Sequence, residues 1–147
     1  MTQPILCLKN IERYYPNGEN IVRALDRISI EICAGEFVAI IGQSGSGKST
    51  LMNLIGCLDK PNAGVYEING KNVLGLNHDE LASLRRETFG FVFQRYNLLN
   101  NATAIENVEI PALYARLPKN QRYQRAAELL ERLGLNNRAD HKPMQLS

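Results

Sequence analysis

Residues 42–49 read Gly42-Gln43-Ser44-Gly45-Ser46-Gly47-Lys48-Ser49. Glycine stands first and sixth of the eight, and a lysine and a hydroxyl close the run, a spacing that suits phosphate binding. The glycines let the chain curl until successive backbone N–H groups face one centre, a nest for phosphate oxygens. A helix starting at the end of such a loop aims its positive N-terminus at the same anion. Lys48 then reaches the β- and γ-phosphates of a nucleotide, Ser49 offers its hydroxyl to Mg²⁺, and Thr50 adds a phosphate hydrogen bond. From average composition, a chance match in a chain of this length is on the order of one in a few hundred. A flexible Gly/Ser loop is therefore the weaker alternative.

The flanking elements fit that use. Phe37-Val38-Ala39-Ile40-Ile41 is apolar without alternation, which predicts a central strand buried on both faces just before the loop. Leu51, Leu54, Ile55 and Leu58 fall at i, i+3, i+4 and i+7, which predicts an amphipathic helix just after it. Asp59 to Gly64, with Pro61, stops that helix. Upstream, Ile5 to Leu8 is strand-like, Pro16-Asn17-Gly18 is a turn, and Ile28, Ile30 and Ile32 alternate with Ser29 and Glu31 as a half-buried strand. Val65 to Ile68 leads into an Asn69-Gly70 hairpin turn. Downstream, Asn77 with Glu80 and Thr103 with Glu106 form capping boxes for two helices, the first ending in Arg85-Arg86 and the second running towards Tyr114. Phe89 to Phe93 reads as a short strand ending at Gln94. Pro118 opens a long helix with Ala127, Leu130 and Leu133 inward and Gly134 as its stop.

Composition narrows the class. The chain has 147 residues, 44% hydrophobic and 22% charged, which suits a folded domain and excludes disorder. A net charge of +2 does not suggest a nucleic-acid partner. Between Arg116 and Lys142 seven Lys/Arg face three Asp/Glu, an excess read as a solvated helix surface. Cys7, Cys33 and Cys57 lack metal-ligand spacing and read as reduced, mostly buried thiols. No apolar run approaches a membrane span and no leader is evident, so the expected compartment is the cytosol or the cytosolic face of something larger.

Four motifs occur in order: Gln43 to Thr50, Leu54 to Pro61, Gly90-Phe91-Val92-Phe93-Gln94, and Gln145-Leu146-Ser147. Together they resemble the nucleotide-binding domain of ATP-binding cassette (ABC) transporters, over nearly the whole chain. Phe93 to Leu99, Glu106 to Glu109 and Pro111 to Ala115 are most similar to the group of macrolide exporters, with lipoprotein-releasing ATPases as the alternative. The resemblance implies an α/β P-loop NTPase fold. Its parts would be an antiparallel β-subdomain (about 1–36 and 65–76), a partial RecA-like core (37–64 and 88–94) and the start of a helical subdomain (95–147).

The resemblance also assigns roles. Tyr15 would stack on adenine, and a tyrosine beside a Pro-Asn-Gly turn can offer a ring face. Gln94 would ligate Mg²⁺ through its amide oxygen and contact the attacking water. Leu146 and Ser147 would begin the signature that presses on the γ-phosphate held by an opposite subunit. The ligands are then ATP and Mg²⁺. The partners are a second cassette in a homodimer and a permease, fused or separate, at the cytoplasmic face of the inner membrane, with a periplasmic adaptor and an outer-membrane channel beyond. Leu98, Leu99 and Tyr114 either form a groove for the permease or pack within the helical part. The chain is expected to stop inside the signature, before the family's catalytic carboxylates and switch histidine. His78 and His141 precede that point. The 147 residues alone are then expected to be inactive as an ATPase, and a non-hydrolysing nucleotide-binding fragment is the alternative from another class. A GTPase would want an Asn-Lys-x-Asp guanine reader, which is absent.

Overall fold

The computed structural model describes residues 3–93 and 97–146. It divides into two compact units, Met1–Phe91 and Val92–Ser147.

The first unit is built on a four-stranded antiparallel sheet of order β2-β1-β3-β4. Its strands are β1 (Leu6–Asn17), β2 (Asn20–Ile32), β3 (Ala63–Ile68) and β4 (Lys71–Asn72). β1 lies in the middle, with Leu6 opposite Ile32 on one side and Ile68 on the other. Leu8 and Ile11 are fully buried there. Ile28, Ile30 and Ile32 pack half-buried against the same core, as their alternation predicts. The Asn69-Gly70 turn holds both residues at positive φ, 49° and 74°, the geometry that favours Asn-Gly in a two-residue hairpin. Past Ile11 the β1–β2 register shifts twice, and the far half of the hairpin, carrying Tyr14 and Tyr15, stands exposed.

Helix α1 (Lys48–Ile55) lays Leu51 and Leu54 on the sheet core, and α2 (His78–Thr88) adds Leu81. α1 is shorter than the apolar spacing predicts. It ends at Gly56, Cys57 turns left-handed at φ 54°, and Leu58 is half exposed. The Asn77–Glu80 box on α2 forms in full: the Asn77 side chain accepts from the Asp79 and Glu80 N–H groups, and the Glu80 carboxylate accepts from the Asn77 N–H.

Two predicted strands do not form among the described residues. Phe37–Ile41 and Phe89–Phe93 have no ladder pairing. A strand buried on both faces forms only by pairing with neighbours, and the four-stranded sheet does not extend to either run. Ile40 packs on the core, while Phe37 is 97% exposed and Ile41 90%.

The second unit contains α3 (Ala104–Tyr114), α4 (Lys119–Arg132) and two 3-10 turns, Asn136–Arg138 and Pro143–Gln145. Ile105, Ala126 and Leu130 form its core, with Ala127 at its margin. Leu133, expected inward, is exposed because α4 ends one residue before it. The Thr103–Glu106 box forms at the start of α3. No described helix is long and apolar enough to cross a membrane.

Candidate functional site

The loop from Gly42 to Gly47 connects the Phe37–Ile41 segment to α1, and three of its glycines take positive φ: Gly42 at 158°, Gly45 at 81° and Gly47 at 87°. At Gly47 glycine is also required by space: a Cβ there would lie 2.3 Å from the Ala24 carbonyl oxygen on β2, whereas one on Gly42 would lie 2.7 Å from the Ser46 hydroxyl, which can rotate away. The loop therefore seats tightly against the strand beside it, and that seat fixes where α1 begins. Gly47 is the N-cap of α1, and no side chain caps its first turn. Uncapped N–H groups and the helix dipole point out of this end.

Lys48 folds back across the loop. Its ammonium donates to the carbonyl oxygens of Gly42 (2.9 Å) and Gln43 (2.6 Å) and touches the Ser46 hydroxyl (3.4 Å). All three acceptors are neutral, and among the described residues Lys48 makes no ion pair. A phosphate oxygen is a better acceptor for this ammonium than a carbonyl. A cleft of about 390 Å³ opens at this point, lined by Ser44, Gly45, Gly47, Lys48, Ser49 and Thr50 and, from β2, by Val22, Arg23 and Ala24. Its lining holds two cations and no carboxylate. The site fits a polyphosphate, and Ser49, exposed at its edge, has the oxygen a Mg²⁺ bound with that phosphate would take. No cluster of three or more metal-ligating side chains occurs among the described residues, so a metal here would depend on the phosphate for most of its ligands.

Tyr15 does not line this cleft. It stands directly across the hairpin from Val22, which does. Its hydroxyl donates to Asp59 Oδ2 at 2.7 Å, and the Arg13 guanidinium lies over its ring, 4.4 Å from the centroid. Arg13 in turn forms a two-pronged pair with Asp59, at 2.8 and 2.7 Å. Burial pushes the Asp59 carboxyl up, but the bonds from Tyr15 and the Lys60 N–H, with the Arg13 charge, outweigh it and hold the group below the usual carboxylate range. Sequence reasoning missed Arg13, Arg23 and Asp59. In the sequence Asp59 stands out only as part of a helix stop and of the Leu54 to Pro61 motif, with no role of its own. Arg13 lies two residues before Tyr15 on one strand, a spacing that puts both on one face.

A larger recess of about 490 Å³ lies by the other end of α1, beside Asp59 and Arg85. Its cations are occupied: Arg13 holds Asp59, Lys60 donates to the Leu76 carbonyl and Arg85 to that of Cys57. The cleft at Lys48 is the better anion site, because its lining includes no carboxylate and it opens at the uncapped N-terminus of α1, whereas the recess is lined by Asp59.

Gln94 and Ser147 lie outside the described residues. Leu146 is half-buried, its N–H bonded to the Pro143 carbonyl at 3.1 Å.

A family profile described as ABC transporter matches residues 25–147. The chain belongs to the ABC transporter family. Within it, the chain is 62% identical over all 147 residues to the macrolide export ATP-binding/permease protein MacB of Hyphomonas neptunium. It is 58% identical, over 98% of its length, to MacB of Escherichia coli K12. It spans only 23% and 22% of these two proteins. Among solved structures it matches the ATP-binding cassette MJ0796, described as a dimer in a post-hydrolysis state bound to ADP and Pi. The TM-score is 0.89 at 45% identity, covering 97% of this chain and 63% of that one. The antiparallel sheet and helices are thus part of an ABC cassette with the α/β P-loop fold.

Proposed function

We propose that this chain is the ATP-binding part of a MacB-type transport ATPase. The observation that carries this is the Lys48 ammonium, held by neutral carbonyls at the mouth of a cleft with no carboxylate, on an uncapped helix N-terminus. The triphosphate would replace those carbonyls as the acceptor of Lys48. Backbone N–H groups of the loop and the hydroxyl of Thr50 would share the remaining phosphate oxygens, and Ser49, with Gln94, would hold Mg²⁺. Tyr15 would stack on adenine and Gln94 would orient water. Leu146 and Ser147 would begin the segment that serves the ATP of a second cassette.

Identity to MacB over the whole length supports macrolide export as the parent's task, and the words ATP-binding/permease in that name support a fused membrane part. The dimeric cassette of the solved relative supports a homodimer. The cassette would then work on the cytoplasmic face of the inner membrane, with an adaptor and an outer-membrane channel completing the export path. The 147 residues alone would bind without turnover, because the cleft offers no carboxylate to act as a base. The test is binding of ATP with Mg²⁺ by calorimetry together with phosphate release. Saturable binding that Lys48→Ala abolishes is expected, with no phosphate release above background. Failure to bind, or binding indifferent to Lys48, would refute the nucleotide reading, and Lys48-dependent phosphate release would refute the absence of turnover.

A further inference from the structure

We propose that Arg13 and Asp59 are positioning residues that fix the plane and the open face of the Tyr15 ring for a nucleotide base; this rests on the reading that Tyr15 stacks on adenine. A tyrosine near the tip of an exposed hairpin ordinarily turns about its χ angles, and a base stacking on it would have to freeze that motion. Here the motion is already frozen at three points. The hydroxyl is tied to Asp59 Oδ2 at 2.7 Å. One ring face is covered by the Arg13 guanidinium at 4.4 Å. That guanidinium is itself locked by two bonds to the same Asp59 carboxylate, at 2.8 and 2.7 Å, and a third to Asn62 Oδ1 at 3.1 Å. One face of the ring is left for a ligand, and 36% of the residue remains exposed.

The clamp also ties the base reader to the phosphate reader. Asp59 and Asn62 lie in the loop that leaves α1, the helix whose first residue is Lys48. That loop grips β1 again where Asn62 Oδ1 accepts from the Tyr14 N–H (3.0 Å) and where the Asn62 N–H donates to the Glu12 carbonyl (2.8 Å). At its other end α1 abuts β2 through Gly47, close to Val22, the cross-strand partner of Tyr15. The hairpin carrying Tyr15 is therefore fastened to both ends of the helix that carries Lys48. A base stacked on Tyr15 and a triphosphate at Lys48 would meet a preset separation. Preorganisation of this kind raises affinity by removing an ordering cost from the bound state.

The test compares two ligands, Mg-ATP and Mg-tripolyphosphate, which share the phosphates and differ in the nucleoside. Binding to the full chain is measured by calorimetry for the wild type and for Tyr15→Phe, Arg13→Ala and Tyr15→Ala. Tyr15→Phe keeps the ring and the fold and removes only the bond to Asp59. Tyr15→Phe and Arg13→Ala are each expected to weaken ATP about 3- to 10-fold while tripolyphosphate changes less than about 2-fold. The clamp is overturned if both variants bind ATP like the wild type while Tyr15→Ala does not, which would leave the stacking reading intact. It is also overturned if ATP and tripolyphosphate weaken in parallel, which would mark the network as support for the fold alone. If Tyr15→Ala itself leaves ATP unaffected, the stacking reading fails and the clamp falls with it.

Discussion

The α-carbon of Gly47 faces the carbonyl of Ala24 so closely that a Cβ placed on it would sit 2.3 Å from that oxygen and 3.2 Å from the Leu25 side chain. The contact presses the first turn of α1 on β2 with no side chain between them. It sets the depth at which Lys48 emerges beside Val22 and Arg23.

Gly47→Ala meets two independent penalties, the contact with a backbone oxygen that cannot swing away and a left-handed φ of 87°. Left-handed strain alone costs on the order of 1–3 kcal/mol for a non-glycine residue. The expected outcome is a loss of at least that stability in urea unfolding, together with loss of nucleotide binding. Gly45→Ala is a useful contrast. Its φ is 81°, but nothing lies within 4 Å of its Cβ position, so it should be the milder of the two. Equal stability losses would show that the contact with Ala24 contributes nothing.

The Asp59 carboxyl is held below its ordinary value of 3.8 in the folded chain, so the sign of its linkage is fixed. A depressed carboxylate contributes stability that is fully present above the unfolded pKa and is lost as pH falls through the folded one. The Arg13–Asp59 contribution should thus be constant from neutrality down to about pH 4 and fade below it. Asp59→Asn should flatten the acid limb of a stability-against-pH curve. An unchanged limb in the variant would contradict this.

How much of this was legible beforehand differed between local and non-local features. The loop, both capping boxes, the Asn-Gly hairpin and the alternating strand could be read because each is decided by residues within a few positions of one another. Phe37–Ile41 was misread for the opposite reason. Its apolar run speaks for burial, but strand pairing depends on a neighbour distant in sequence, and the four-stranded sheet does not extend to it. Leu58 and Leu133 fit a helical period yet fall just beyond helix ends, set by the left-handed turn at Cys57 in one case and the stop at Gly134 in the other. In the candidate site the glycine turns of the loop and the helix that follows it were legible, because both are decided locally. The bond between Tyr15 and Asp59 spans 44 residues, and no local pattern marks it.

Tyr66 is fully buried, and its hydroxyl donates to the Ile55 carbonyl at the end of α1 while receiving the Cys57 thiol at 3.7 Å. Burial, then the neighbouring Cys57, push its pKa far above the ordinary tyrosine value, so it stays a neutral donor at any working pH. Tyr66→Phe keeps the ring and strands the Ile55 oxygen, a loss of about 1–3 kcal/mol. Cys57→Ala should cost less from the hydrogen bond itself, because a thiol is a weak donor. Urea unfolding of Tyr66→Phe at wild-type stability would mean that the Ile55 carbonyl finds another partner.

Asn107 on α3 does for the second unit what no regular element there does. Its Oδ1 accepts from the Leu99 N–H at 2.8 Å, and its Nδ2 donates to the carbonyls of Leu99 (3.2 Å), Ala102 (3.2 Å) and Thr103 (2.9 Å). One side chain thus pins the turn before α3 and presents Leu99, 59% exposed, on the surface. Asn107→Asp keeps the acceptor for Leu99 and turns the three donor contacts into repulsion between carboxylate and carbonyl oxygens. Hydrogen exchange at the Leu99 amide should accelerate about tenfold or more, as expected for roughly 1.4 kcal/mol or more of lost local stability. Exchange within α4 should not change, since Ala126 and Leu130 pack on Ile105 and not on this turn. Acceleration spread evenly over both helices would instead mean that Asn107 supports the whole unit and not the turn.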